Sequence, residues 1–262
     1  MLHFENGLAS STSGADSFLQ NEIFTTGAVI WVDSVNGNDS NTGTEAKPLA
    51  TLAQAITNAT ANNGDIIVLK SGHTETRTSA ITVSKAGLRI FGIGSGSSAP
   101  NFICNAAIDC ITVTANDVVL NNLYFPAGTT ANNSARINVD ARNVRIKGCT
   151  FLCGAYDIDT ITITASGIDC KIESCTMTIS AALPQRGVSI ESASAVGLFV
   201  NSCTFNGGSY NWTLGAIYST VAHLNYFYDT ITLTGDCAIV HTAAAKGSIS
   251  NIIASTGSAV SI

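Results

Sequence analysis

The sequence predicts an all-β chain wound as a parallel β-helix. Three observations predict it: a residue mixture suited to strands and turns, a motif that returns about every two dozen residues, and period-two alternation within each return. Serine, threonine, asparagine and glycine supply 27, 30, 22 and 23 of the 262 residues. That mixture suits short strands and tight turns; helices favour Ala, Leu, Glu and Lys. Charged residues make up 11% of the chain, under half of the usual share, so the expected surface is neutral and rich in hydroxyl and amide groups.

The repeat is read directly. NDVVLNNLYF (116–125), RNVRIKGCTF (142–151), IDCKIESCTM (168–177) and VGLFVNSCTF (196–205) align, with Leu120, Ile146, Ile172 and Val200 at the fifth position. The register is extended to Leu224 and Ile249. Three residues on, one column reads Leu123, Cys149, Cys175, Cys203, Phe227 and Ile252, and is expected to stack inside the solenoid. A second short strand follows each motif: DCITVTA (109–115), ARINVDA (135–141), DTITITA (159–165), RGVSIES (186–192), GAIYST (215–220), DCAIVHT (236–242) and GSAVSI (257–262). Each alternates apolar and polar residues, as a strand with one buried face does. Leucine-rich repeats would need a leucine ladder, and propeller blades would be nearly twice as long. About seven coils of 21–30 residues are expected, stacked about 4.8 Å apart along the axis. Asn121-Asn122, Gly148 and Asn206-Gly207-Gly208 are placed to turn the coil corners.

A solenoid must cover its first coil. Residues 49–61 carry Leu49, Leu52, Ala53, Ile56 and Ala59 at helical spacing, between Pro48 and Asn62-Asn63-Gly64. They predict a short capping helix, followed by the strand DIIVLK (65–70).

The run WVDSVNGNDSNTGTEAKPLATLAQAI (31–56) carries a resemblance. Val32-Asp33 ends a strand, Asn36 to Gly43 forms an N-G-N-D-S-x-x-G turn, Lys47-Pro48 follows, and Thr51 to Ile56 opens the helix. This resembles the lead-in to right-handed parallel β-helix proteins of the pectin-lyase-like superfamily. The resemblance implies a right-handed coil with GDIIVLKSGHTET (64–76) as its first turn. It leaves function open, because lyases, hydrolases, epimerases and phage structural proteins share the fold. Asp33, Asn36, Asn38, Asp39 and Asn41 could offer oxygens to calcium, but they lack EF-hand spacing, and side-chain-to-backbone turn bonding is the preferred reading.

Two segments are distinguished: an arm, residues 1–30, and the β-helix with its capping helix, residues 31–262. The arm holds Phe4, Phe18, Leu19, Ile23 and Phe24 in a polar chain and is expected to grip a partner. The last residues, Val260-Ser261-Ile262, stop inside a strand, and self-association or docking is expected to cover them.

A formal net charge of −6 with 12 Lys and Arg excludes a nucleic-acid binder. No run approaches 18 apolar residues, and the first residues lack the basic and apolar regions of a signal peptide. The eight cysteines are therefore expected to be reduced, buried thiols. Cys149 and Cys153 have zinc-compatible spacing, yet no second ligand pair follows.

Chemistry is sparse. The superfamily's polygalacturonase-like signatures, an Asp-Asp pair and Gly-His-Gly, do not occur. In the middle coils Arg136, Arg142, Arg145, Lys147, Asp140, Asp157 and Asp159 show no pectate-lyase-like constellation. Asp157 and Asp159 flank Ile158 and could share a face, with Asp140 or Glu191 stacked nearby, but a solvated flank is preferred over catalysis. His3, His73, His223 and His241 are scattered and read as core or surface residues. The sequence thus leads to a non-enzymatic structural protein of a tailed-phage virion, made in the cytoplasm without a signal peptide. A homotrimer decorating the capsid through contact with the major capsid protein is expected. It would have no cofactor, metal, nucleic-acid or membrane partner. The alternative is a tail fibre or tailspike component, or a polysaccharide-degrading lyase or hydrolase.

Overall fold

A computed structural model describes residues 25–261, apart from 128–132, 156, 181–183, 211, 236 and 256–258. The arm residues Phe4, Phe18, Leu19, Ile23 and Phe24 lie outside the described residues.

The chain forms a parallel β-helix with three faces. The first face stacks Val29–Val32, Ile66–Leu69, Arg89–Gly92, Val119–Asn121, Arg145–Lys147, Lys171–Glu173 and Phe199–Asn201 in parallel. The second stacks Thr74–Arg77, Asn101–Cys104, Tyr124–Phe125, Thr150–Cys153, Thr176–Ile179 and Thr204–Asn206. The 11-residue strand Leu224–Thr234 runs through the corner and pairs with both, so the two faces form one 15-stranded sheet. The third face is an 8-stranded sheet from Ile81–Val83 through Ile111–Val113, Asn133–Val139, Asp157–Ile163, Arg186–Ile190, Gly215–Ser219 and Ala238–His241 to Ala259–Ser261. These are the seven second strands read from the sequence, joined by the strand of the first coil.

Corners and columns explain the repeat. Between the first and second faces, Asn122, Gly148, Ser174, Ser202, Thr230 and Asn251 occupy corresponding positions, all at φ between 49° and 60°. This left-handed conformation favours glycine and tolerates asparagine, which is why Gly148 recurs in register with Asn122. The residue after each corner points inward: Leu123, Cys149, Cys175 and Cys203 are buried. Each thiol can donate weakly to a carbonyl of the preceding coil, as Cys203 Sγ does to Ile172 O at 3.5 Å. Two positions further, Phe102, Phe125 and Phe151 stack with ring centroids 5.8 and 5.0 Å apart.

The column departs from the expected register at Phe227. Val200 pairs with Tyr228, not Leu224, and Phe199 pairs with Phe227. The residue that continues the cysteine column is Ile231, fully buried and paired with Ile252. Phe227 instead lies on the outer face, stacked on Phe199 at 5.5 Å. Three aromatic residues in a row, Tyr226, Phe227 and Tyr228, offered several plausible inward residues; cross-strand pairing selects Tyr228.

The capping helix is shorter than expected, Leu52–Asn58. Thr51 Oγ1 accepts the Gln54 N–H at 3.2 Å, and buried Glu75 Oε1 accepts the Leu52 N–H at 2.7 Å. Leu49, Leu52, Ala55 and Ile56 close the end of the core. The Asp/Asn turn is held by its own bonds: Asp33 Oδ1 accepts from Val35 N and Asn36 N, and Asp39 accepts from Ala50 N and Thr51 N.

The thiol expectation needs one correction. Cys104 and Cys110 form a disulfide, with Cα atoms 5.8 Å apart, across the corner that leads from the second face to the third. Among the described residues, Cys149, Cys153, Cys170, Cys175, Cys203 and Cys237 are buried and form no disulfide.

Candidate functional site

The site is built on the outer side of the third face. Strand pairing sets Ala135 beside Asp159, Asp159 beside Arg186 and Arg186 beside Gly215. Consecutive coils thus deliver a carboxylate and a guanidinium to adjacent positions with no insertion in the chain. Arg186 Nε approaches Asp159 Oδ1 to 2.6 Å, and Thr162 Oγ1 donates to Asp159 Oδ2 at 3.3 Å.

Around this pair opens a cavity of about 330 Å³, lined by Asp109, Ser134, Asn138, Ile158, Asp159, Thr162, Arg186 and Glu191. That volume is at the lower end of the range for small-molecule sites. Asn138 Nδ2 donates to Asp109 Oδ2 at 2.6 Å and fixes one wall. The Arg186 guanidinium also lies 5.9 Å from the centre of the Tyr218 ring, on the next coil.

Asp159 is the chemically unusual member. It is only 4% exposed. Burial pushes its carboxyl up to about 7; Arg186 pulls down, Glu191 pushes up, and the Thr162 hydroxyl pulls down, without cancelling the effect of burial. A carboxylic acid that holds its proton near neutrality, at the wall of an open cavity and next to a second carboxylate, is equipped for proton transfer.

The sequence expected Asp157 and Asp159 either to share a face or to be a solvated flank, and neither holds. Asp157 is 3% exposed and pairs with Arg136, itself buried, and accepts the Gly154 N–H at 2.7 Å. It is a structural ion pair. The alternation fails because all five residues from Asp159 to Ile163 are buried: Thr160 Oγ1 lies 3.1 Å from the core thiol Cys153 Sγ, whereas Thr162 turns to Asp159. Asp140 is bonded to Thr164 Oγ1 at 2.6 Å and lines no part of the cavity. Glu191 does line it.

The remaining candidates are structural in placement. His73 Nδ1 accepts the Ser34 N–H at 3.1 Å and its Nε2 lies 3.0 Å from Glu75 Oε1. His223 and His241 are buried with ring centres 4.8 Å apart. Among the described residues, no group of three His, Cys, Asp or Glu side chains is placed to hold a metal ion, and no helix is long and apolar enough to cross a membrane.

These coils define a parallel β-helix. No protein-family model matches the chain, and no curated protein matches it. Among solved structures it is similar to a rhamnogalacturonan lyase, at 14% identity and a TM-score of 0.55, over 87% of this chain and 68% of that one. It is also matched to a GH136 lacto-N-biosidase from Eubacterium ramulus, at 10% identity and a TM-score of 0.45, over 90% and 67% of the two chains. The first likeness is one of fold.

The expectation of a chain without enzymatic activity is corrected here. The similar solved fold belongs to a lyase, and the expected solvated flank contains instead a buried, protonatable carboxyl at an open cavity.

Proposed function

We propose that the chain is a polysaccharide-degrading β-helix enzyme, and specifically a glycoside hydrolase centred on Asp159 and Glu191. The observation that carries the proposal is the Asp159 carboxyl, pushed up to about 7 by burial at the wall of the cavity. The fold of a rhamnogalacturonan lyase is in keeping with this reading.

Glycoside hydrolysis uses one carboxylic acid to protonate the leaving oxygen and one carboxylate to activate water or attack the anomeric carbon. In the proposed reaction the Asp159 proton passes to the glycosidic oxygen as the C1–O bond breaks. The resulting carboxylate is held by Arg186 at Oδ1 and by the Thr162 hydroxyl at Oδ2. Glu191 supplies the second carboxylate, and an added water completes the free hemiacetal. Asp159 and Glu191 thus place two carboxyl groups in one cavity, the pair that such a reaction uses.

The test is a panel of polysaccharides incubated with purified protein. New reducing ends without ultraviolet absorbance from an unsaturated product support hydrolysis, provided that Asp159→Asn abolishes them. An unsaturated product would assign elimination, and no cleavage of any glycan would overturn the proposal.

A further inference from the structure

We infer that the cavity accepts an uncharged glycan and rejects uronate chains, with Tyr218 as a stacking platform beside the acid. This rests on the hydrolase reading and adds the substrate class. Besides the Asp159 carboxyl, which holds its proton near neutrality, Asp109 and Glu191 line the cavity against one guanidinium, Arg186. That guanidinium is already engaged by Asp159 Oδ1 and lies over Tyr218. No other Arg or Lys lines the cavity among the described residues. A uronate chain brings a carboxylate with each sugar, and like charges juxtaposed across an interface are penalised.

The other lining groups fit hydroxyls. Ser134, Asn138 and Thr162 offer donors and acceptors, and Asn138 Oδ1 is a buried acceptor without a hydrogen-bond partner. Ser189 Oγ is buried without a partner too, in register between Thr162 and Tyr218 on the same face. Polar groups left unpaired beside a cavity are costly unless a ligand meets them. Tyr218 is two coils beyond Thr162 in that register, partly exposed, and its ring provides an apolar surface for the C–H face of a sugar. Glycan chains lying along the axis would pass from the acid to the ring.

The experiment is binding of the wild-type protein to an array of oligosaccharides of matched length. It carries uncharged galacto-, gluco-, manno- and xylo-configured chains together with oligogalacturonate, oligomannuronate and oligoguluronate. Retention of uncharged chains alone is expected. Tyr218→Ala should weaken it on the order of tenfold or more, while the Asp159 carboxyl titration stays in place, which separates lost stacking from a disturbed fold. Asp109→Asn combined with Glu191→Gln should admit uronates. If the wild type prefers uronates, this inference falls and the hydrolase reading stands; if nothing on the array is bound and no glycan is cleaved, the hydrolase reading falls with it.

Discussion

Arg186 Nε lies 2.6 Å from Asp159 Oδ1 across neighbouring coils, yet the Asp159 carboxyl still sits at about 7. Burial outweighs the cation. The pair is therefore poorly described as a stabilising salt bridge: ionising Asp159 at its 4% exposure costs more than Arg186 returns.

Replacing Asp159 with Asn follows from that cost. Its folded value, about 7, lies above the ordinary 3.8, so stability from this group is fully present below 3.8 and is lost as pH rises from there through 7. At pH 8 the Asp159→Asn protein should be more stable than wild type by about 1 kcal/mol, which corresponds to roughly 2–4 °C in melting temperature. At about pH 3, below the ordinary value of 3.8, the gain should vanish. Glycan cleavage should drop by about 10²–10⁴-fold at every pH. Scanning calorimetry at the two pH values, beside a cleavage assay, checks all three.

The neighbours act on Asp159 in opposite senses. Arg186 holds its carboxyl down and Glu191 holds it up. Arg186→Gln should move the alkaline limb of the rate profile to higher pH by about one unit. Glu191→Gln should move the Asp159 titration to lower pH, read by carbon-13 NMR because that variant lacks the second carboxylate. Shifts of one sign in both variants would contradict the arrangement.

A second pH response lies at the far end of the core. Burial, with a smaller push from His223, brings His241 down to about 4 from 6.5. An unfolded chain takes up this proton at about 6.5 and the folded chain resists it, so stability present above 6.5 is lost as pH falls toward 4. His241→Phe keeps a flat ring against Tyr226, whose ring lies 5.1 Å away. It should flatten the acid limb of a melting-temperature profile between pH 7 and 4.5. An unchanged acid limb would place the sensitivity elsewhere.

Much of this was legible in the sequence. Columns such as Phe125, Phe151, Met177 and Phe205 share one inward environment, and the chain repeats the residue type at the repeat length. The register failed at Phe227, where an 11-residue strand runs through the corner and three consecutive aromatics blur the inward position. The disulfide was missed because nothing in the Cys104 to Cys110 spacing shows that a corner brings the two together. The site, by contrast, left a trace. With the second strands aligned, Asp159 and Arg186 both stand first in their segments, which is the pairing the structure has. Asp157 and Asp159 are neighbours along the chain, whereas a solenoid brings together residues one repeat apart.

The most direct test of this account is the carbon-13 titration of the Asp159 carboxyl in the folded wild-type protein, assigned by comparison with Asp159→Asn. A midpoint near 7 is the result expected from its burial beside Arg186 and Glu191. A midpoint near 4 would mean a solvated carboxylate already ionised at neutral pH, and the proton donor on which the hydrolase reading rests would be gone.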